Sequence, residues 1–370
     1  MRKILFVNDE AYEGGTEKVL HDITCNLNRS EYDITIMTFN RCKEFNQYYS
    51  SDITYWYMYE REMLTSSNLI QKCIHRVQRD MRKAQITGKI NRAGFDVIVA
   101  IKEGHIMKYV STLHAPKKVG WIHTDFNVLH WSDWCFDVDE ELACMQTFDC
   151  IVCVSETVKA HVIQQVGNPG NMKCIMNPID AEDIRNKAKA GHPEIHRSIG
   201  KTLFVTVGRL CYEKGYDMLL NAAAKLTSEG YSFEVWIVGG GEDEAQLQEQ
   251  LNRLQLENVH MLGLQKNPYS YIREADWFLS ASRAEGYAIV PQEAAILGIP
   301  VIATDCSGVR ELLGDNEYGM IIEISEEAIL GAMRYVLEHP EEHQKYQTQI
   351  QERAKTINMR QRMEAIEAVL

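Results

Sequence analysis

The sequence lacks a hydrophobic run long enough to span a membrane. Across the 370 residues, no apolar segment approaches the roughly 20 residues that a transmembrane helix needs. The N-terminal stretch MRKILFVNDE turns acidic before the apolar core of a signal peptide could form. These two absences predict a cytoplasmic protein.

The chain also lacks an excess of basic residues and a disulfide pattern. Its formal net charge is −13, with most of the acidity in residues 181–370, whereas a general nucleic-acid binder would be basic. The ten cysteines are scattered and lie mostly in apolar runs, which is typical of a reducing compartment. Cys150 and Cys153 form a C-x-x-C, but an odd separation on a strand points the two side chains to opposite faces. We therefore expect core cysteines rather than a redox or metal pair.

Two cofactor motifs are missing as well. The glycines at 14–15 and at 239–241 do not extend into G-x-G-x-x-G, which argues against a dinucleotide site. No Asp-x-Asp pair stands between a strand and the candidate site described below, so we expect no metal and no resident cofactor.

What is present is an alternation of strand and helix patterns. The length favours two domains over one or three, and the strands read as buried parallel ones, which predicts α/β domains with doubly wound sheets. We place the domains at residues 1–180 and 181–357, with a polar linker at 187–201 and a last helix at 358–370. The predicted strands of the first domain are KILFVND, DITIMTF, DITYWYM, FDVIVAI, KKVGWIH, DCIVCVS and MKCIMN; those of the second include TLFVTV, FEVWIV, VHMLGL, DWFLS and VIAT.

Residues 283–308 carry the strongest functional signal. Seven residues stand between Glu285 and Glu293, and we expect a helix that begins near Pro291, with Glu285 in the preceding loop and Glu293 in the first turn. Both carboxylates then lie at the carboxyl edge of a parallel sheet, where open α/β folds bind ligands. The spacing alone fits a pair of solvated helix glutamates equally well.

Two other segments can bind an anion. Arg209 and Lys214 follow the strand TLFVTV, and two cations at a sheet edge can neutralise a diphosphate without a metal, although surface charge is the simpler alternative. Gly14 and Gly15 lie at a strand-to-helix turn whose backbone N–H groups can face an anion, or they merely satisfy the turn.

The first half of the chain adds an aromatic loop and a basic helix. His123 ends a strand and opens the loop 121–134, whose aromatic residues can form a platform for a sugar or a lipid; a structural histidine is the alternative. Residues 71–92 hold seven Lys/Arg and one acidic residue beside an apolar stripe. This pattern fits either contact with an anionic membrane or a helix packed on the sheet with a solvated basic face. The stripe comprises Ile70, Ile74, Val77 and Met81, and the basic residues beside it are Lys72, Arg76, Arg79 and Lys83.

These motifs resemble a known family. The two glutamates followed by AAILGIPVIATDCSGVREL, the segment GRLCYEKG and the EGG turn after the first strand look like the retaining GT-B glycosyltransferases of family GT4, of the bacterial surface-polysaccharide type. Tyr287 stands where phenylalanine is common, and Pro291-Gln292 replaces a leucine-rich approach, which leaves the donor's identity open. The resemblance covers nearly the whole chain.

The resemblance implies a GT-B fold, with two Rossmann-like domains facing a central cleft and the last helix packing back on the first domain. It also implies a retaining, metal-independent hexosyltransferase that takes a UDP-sugar and a glycan or lipid-linked acceptor in polysaccharide biosynthesis. A nucleotide-sugar epimerase of the same fold and a non-catalytic carbohydrate-binding scaffold are the alternatives. The implied catalytic residues are Glu285, His123, Arg209 and Lys214. The implied donor-binding residues are Gly14, Gly15, Arg209, Lys214, Gly263, Leu264, Glu285, Gly286, Tyr287, Ala288 and Glu293.

Overall fold

The protein consists of two α/β units, each built on its own parallel sheet. A computed structural model describes residues 1–11, 14–60 and 69–370. Unit 1 comprises Met1–Ile179 with Arg360–Leu370, and unit 2 comprises Asp180–Met359. The two sheets are described separately below.

Unit 1 carries a seven-stranded sheet in the order β3-β2-β1-β4-β5-β6-β7, parallel throughout. Its strands are apolar runs because helices cover both faces of such a sheet. The strands are β1 Arg2–Asn8, β2 Tyr32–Asn40, β3 Thr54–Tyr59, β4 Val97–Ala100, β5 Lys117–Ile122, β6 Cys150–Cys153 and β7 Met172–Cys174. The helices are α1 Gly15–Asn26, α2 Phe45–Tyr48, α3 Leu69–Ala93, α4 His105–Ser111, α5 Val138–Gln146 and α6 Glu156–Gln165.

Unit 2 carries a six-stranded sheet in the order β10-β9-β8-β11-β12-β13, also parallel. The strands are β8 Thr202–Val207, β9 Phe233–Val238, β10 Val259–Met261, β11 Trp277–Ser280, β12 Val301–Thr304 and β13 Met320–Ile322. The helices are α7 Ala181–Ala190, α8 Tyr216–Ser228, α9 Glu244–Arg253, α10 Tyr269–Arg273, α11 Ile289–Ile296, α12 Val309–Leu313, α13 Glu326–Glu338 and α14 Glu342–Ala354. The last helix of the chain, α15 Met359–Glu367, belongs to unit 1 from Arg360 onward, and its Arg362 donates to the backbone oxygen of Asn177 within that unit (2.7 Å).

The segment 187–201, predicted as a linker, is part of unit 2. Its first residues complete α7. The guanidinium of Arg197 then bonds to Asp276 at 2.5 Å, and the Ser198 hydroxyl donates to Glu234 at 2.8 Å. Polar residues without a period suggested a free connection, but their side chains fix the segment to the sheet of unit 2.

The two cysteines of the C-x-x-C motif lie in the core, as the sequence predicts. Cys150 and Cys153 are both buried on β6, and every cysteine of the described residues is a free thiol. Burial raises the pKa of Cys153, because a thiolate is poorly solvated in the core. Cys73 lies on α3, but its side chain falls outside the described set.

Candidate functional site

The predicted donor residues of unit 2 meet at one edge of its sheet. Arg209 and Lys214 follow β8, Gly263 follows β10, and Glu285 follows β11. Because the strands are parallel and adjacent, their carboxyl ends lie together, and so do the loops that leave them. The glycines at 239–241, after β9, complete this edge.

Glycine is required where these loops touch. Gly215 has a φ of +66°, and a methyl group there would overlap the backbone oxygen of Ala281 behind β11. Gly239 has a φ of +147°, and a methyl group there would overlap the backbone oxygen of Gly208. The loops are thus packed backbone against backbone, and the N–H groups of Gly239 and Gly215 already donate to the backbone oxygens of Gly263 (2.9 Å) and Tyr212 (3.2 Å).

Lys214 and Glu285 form an ion pair at the centre of this edge. The Lys214 ammonium donates to Glu285 Oε1 at 2.5 Å, and the hydroxyl of Ser282 donates to the same oxygen at 2.7 Å. Both charged side chains are mostly buried, with 23% and 15% of their surface exposed. A partly dehydrated ion pair beside the glycine turns can grip a polar ligand more firmly than exposed charges can.

Arg283 joins the Lys214 loop to the Glu285 loop. Its guanidinium makes a two-pronged bond to Asp217 (2.7 and 2.6 Å) and lies 4.2 Å from the ring centre of Tyr212. Its backbone N–H donates to the backbone oxygen of Glu213 at 2.7 Å. Burial alone would raise the pKa of Asp217, but the bond and the charge of Arg283 outweigh it and lower that pKa. No sequence pattern indicated a role for Arg283, because its partners are 66 to 71 residues away along the chain.

Arg209 is the more exposed of the two cations. It follows β8 and shares a hydrogen bond with the thiol of Cys211. Its guanidinium is therefore available to a ligand at the sheet edge, next to the Lys214 loop.

Glu293 is buried rather than solvated. Only 5% of the residue is exposed, and the hydroxyl of Tyr269 donates to its Oε1 at 3.2 Å. The helix α11 begins at Ile289, two residues before Pro291, so Glu293 lies in the second turn rather than the first. Proline is tolerated inside the first turn because its missing N–H has no partner there anyway. The alternative of two solvated helix glutamates is therefore wrong for Glu293.

The remaining predicted donor residues lie in the loops at the same edge of the sheet. Ala288 caps α11, and Tyr287 is buried against Gly308, whose φ is +83°. Leu264 is 84% exposed at the sheet edge, beside Gly263, whose carbonyl accepts from the Gly239 N–H at 2.9 Å. Gly286 stands between Glu285 and Tyr287 in the same loop. An exposed leucine at this edge offers an apolar face to a flat ring.

In unit 1, His123 directly follows β5, and its backbone is bound by a buried carboxylate. Its backbone N–H donates to Glu103 at 3.0 Å, and Glu103 is fully buried. Burial lowers the pKa of His123, so its ring is neutral at neutral pH. Its Nε2 has no hydrogen-bond partner among the described residues. Glu103 was not predicted, and only its place three residues after β4 pointed to it.

The N-terminus of α1 holds a carboxylate of its own. Gly14 caps this helix and Gly15 begins it, but the side chain of Glu17 folds back over Gly14. Burial raises the pKa of Glu17 above its ordinary value, although Lys102 and Asn8 act against this. A phosphate at this turn would have to displace the Glu17 side chain or share a proton with it.

The aromatic loop 121–134 separates into core and surface residues. Trp121 and Phe126 are buried, whereas Trp134 is 67% exposed. The indole N–H of Trp131 donates to Glu103 at 2.9 Å, which fixes that ring. Of the predicted platform, only Trp134 presents most of its surface to solvent.

No metal cluster is found in the part of the chain that the structure describes. Within residues 1–11, 14–60 and 69–370, no three His, Cys, Asp or Glu side chains come close enough to hold an ion. The sequence Asp137-Val138-Asp139 lies at the start of α5 in unit 1, where Asp137 is the N-cap of the helix. In these same ranges, no helix has the length and apolar character needed to cross a membrane.

Comparison with known proteins identifies the family. A family model described as "Glycosyltransferase Family 4" matches residues 13–183, and one described as "Glycosyl transferases group 1" matches residues 191–355. The crystal structure of Anabaena HepE in complex with UDP and glucose aligns with a TM-score of 0.78 at 18% identity, covering 100% of this chain and 99% of that one. The fold is thus GT-B, and the chain belongs to the GT4 family of glycosyltransferases.

Two curated relatives match parts of the chain. An uncharacterised glycosyltransferase of Methanocaldococcus jannaschii is 33% identical over 145 residues, which is 38% of this chain and 36% of the relative. The N-acetylgalactosamine-N,N'-diacetylbacillosaminyl-diphospho-undecaprenol 4-alpha-N-acetylgalactosaminyltransferase of Campylobacter jejuni is 30% identical over 194 residues, which is 52% of this chain and 51% of the relative. The chain therefore matches between about a third and a half of the length of these relatives.

Proposed function

We propose that the protein transfers a sugar from a UDP-sugar to a hydroxyl of a glycan or lipid-linked acceptor, with retention of the anomeric configuration. The observation that supports this most is the Lys214–Glu285 pair beside Arg209 and the glycine turns of unit 2. This edge combines cations for a diphosphate with carboxylates for sugar hydroxyls. The complex of Anabaena HepE with UDP supports the choice of base, and the named activity of the Campylobacter relative supports the acceptor class and a role in polysaccharide biosynthesis.

Each residue then has a separate task. The bond from the anomeric carbon to the diphosphate oxygen breaks and the bond to the acceptor oxygen forms, so that the products are the glycosylated acceptor, UDP and the proton of the acceptor hydroxyl. Arg209 and Lys214 stabilise the charge that builds on the departing diphosphate, which is usually the largest effect in such chemistry. Glu285 holds the donor sugar and Glu293 the ribose. We assign His123 to a contact with the donor sugar. Its ring is neutral at neutral pH, and its Nε2 has no hydrogen-bond partner among the described residues.

Incubation with UDP-sugars tests this assignment. A screen of nucleoside diphosphates and their sugars should raise the melting temperature with UDP compounds, because a ligand that binds the native state stabilises it. UDP-sugar alone should give slow hydrolysis to UDP, and that activity should survive excess EDTA because two cations take the place of a metal. An isomeric UDP-sugar as the product would instead establish an epimerase, and binding without any turnover would establish a scaffold. A strict Mn²⁺ or Mg²⁺ requirement would contradict metal independence.

We further propose that α3 places the protein on the inner face of an anionic membrane. Its residues Ile74, Val77 and Met81 are 49%, 58% and 69% exposed, at a spacing that puts them on one side of the helix. The exposed Arg76 and Lys83 are seven residues apart and therefore lie together along one edge of the solvent face of the helix. Ile70 and Lys72, also predicted for this stripe, have side chains outside the described set.

The opposite side of α3 packs on the sheet. The Arg82 guanidinium donates to the backbone oxygen of Met58 at 3.3 Å, and the Lys89 ammonium lies 3.6 Å from the ring centre of Trp56. Ile86 and Ile90 are buried. The helix therefore does pack on the sheet, as one alternative held, but its solvent face carries an apolar stripe with basic residues along one edge. That arrangement is typical of helices that lie in a membrane interface.

Liposome binding tests the membrane contact. Because the protein carries a net charge of −13, attraction to anionic lipids must come from a local basic patch, and salt screens such attraction over about 10 Å at moderate ionic strength. Binding to phosphatidylserine liposomes should weaken with salt and should fall about tenfold or more with Arg76→Glu and Lys83→Glu together. The same change of charge at Lys345 on α14 and at Lys355, the residue that follows this helix, should have little effect. Equal binding by both double variants would leave α3 a solvated surface helix.

A further inference from the structure

A second group of side chains lies at the carboxyl edge of the unit 1 sheet, and we propose that it binds a pyranose ring of the acceptor. The group, called here the Trp134 cluster, consists of Asp9, Lys102, His105, Trp131 and Trp134. Asp9 follows β1, Lys102 and His105 follow β4, and the two tryptophans lie on the 3₁₀ turn Trp131–Trp134. The inference rests on the proposed transfer reaction, because it assigns the acceptor half of it.

His105 holds the cluster together. Its Nε2 lies 2.5 Å from Asp9 Oδ1, and its ring centre lies 5.4 Å from that of Trp134. Lys102 approaches the same carboxylate at 3.7 Å and lies 4.7 Å from the ring centre of Trp131. The carboxylate of Asp9 thus contacts both Lys102 and His105, and the ring of His105 lies beside the exposed indole of Trp134.

The indole of Trp134 is the most exposed side chain of this cluster. All six tryptophans lie within the described ranges, and Trp134 alone is exposed, at 67%. Asp9, Lys102 and His105 keep 21%, 29% and 26% of their side-chain surface open. A flat apolar face beside a few accessible polar groups suits a pyranose, whose C–H face stacks on an aromatic ring while its hydroxyls bond to charged groups.

Charge argues for a neutral ligand over a phosphate. Asp9 already matches Lys102, and the buried carboxylate of Glu103 lies behind the cluster. A lipid phosphate would meet no unpaired excess of positive charge among these groups, whereas hydroxyls can donate to Asp9 and accept from Lys102. The cluster therefore suits the sugar part of an acceptor rather than its phosphate.

The cluster is also held in place. Glu103 accepts from the Trp131 indole at 2.9 Å and from the Thr124 hydroxyl at 2.6 Å. Gly104 has a φ of +73°, and a methyl group there would lie 3.1 Å from Trp131. Two side-chain bonds and a glycine thus fix the turn that presents Trp134, which lowers the entropic cost of ligand binding.

Titration of the full chain with simple glycosides tests the inference. The probes are the methyl pyranosides of glucose, galactose, N-acetylglucosamine and N-acetylgalactosamine, followed by saturation-transfer NMR and calorimetry. At least one should bind the wild type, and Trp134→Ala should weaken it about tenfold or more, with partial recovery in Trp134→Phe. Asp9→Asn should weaken it as well. Val138→Ala, a change at another exposed apolar side chain close by in the sequence, should not.

UDP affinity, measured on the same samples, separates the two proposals. If UDP binds but no glycoside does, or if glycosides bind Trp134→Ala as well as the wild type, the Trp134 cluster is not the acceptor site. The inference would also be overturned if geranyl phosphate bound and none of the glycosides did, because the cluster would then bind the lipid phosphate of the acceptor rather than its sugar. If UDP fails to bind the wild type, the proposed transfer itself is wrong.

Discussion

Replacing Glu285 by glutamine is expected to lower the turnover of sugar transfer by about 10²-fold or more, the scale of losing one contact made in the transition state. The affinity for free UDP should stay the same or rise. Glu285 accepts from Lys214 and Ser282, and an amide at this position still accepts but carries no charge. The positive charge of Lys214 is then no longer compensated by a carboxylate, and this strengthens its attraction to a diphosphate. Calorimetry with UDP and steady-state rates on each variant measure the two effects.

The contrast with Glu293 makes the result specific. Glu293→Gln should weaken UDP itself by about 1–3 kcal/mol, the range for a charged hydrogen bond, because this buried carboxylate is assigned to the ribose. Glu342→Gln, which removes the surface pair with Lys345 at 2.7 Å, serves as the control and should change neither quantity. If Glu285→Gln loses UDP affinity in proportion to its turnover, Glu285 only positions Lys214 and does not hold the sugar.

The sheets could be predicted from the sequence because parallel strands are continuous apolar runs. All seven predicted strands of unit 1 are present, with ends shifted by a few residues. In unit 2 the short strand β13, Met320–Ile322, was not predicted, and its residues are only half-buried. A three-residue strand without a fully buried face leaves too weak a pattern to read.

The sequence predicted which loops form the site, but it did not predict which side chains contact one another there. Glycines and charged residues after strands indicated which loops meet, since topology brings those ends together. The sequence could not show that Lys214 would pair with Glu285, 71 residues away, or that Arg283 would bridge the two loops. Such pairings depend on side-chain geometry across adjacent strands, which no local pattern records. The sequence also could not show that the apolar stripe of α3 would be exposed, because an apolar helix face usually indicates packing against a core.

Gly215→Ala is expected to destabilise unit 2 by about 2–5 kcal/mol, the sum of a left-handed backbone penalty and a steric one. Gly215 has a φ of +66°, and an added methyl group meets the backbone oxygen of Ala281 and the Met218 side chain. A backbone oxygen cannot rotate away, so the loops after β8 and β11 must separate. Since a domain's whole stability is about 5–15 kcal/mol, hydrogen exchange across β8 and β11 should quicken markedly.

Gly230 provides the matched control for this prediction. It has a similar φ of +87° in the same unit, but a methyl group there meets nothing within 4 Å. Gly230→Ala should therefore cost only the backbone penalty of about 1–2 kcal/mol, and the difference between the two variants measures the close approach itself. Because that approach also sets the distance between Lys214 and Glu285, Gly215→Ala should weaken UDP binding while Gly230→Ala leaves it intact. Equal stability losses would mean that the two loops separate at little cost and that the site does not depend on their contact.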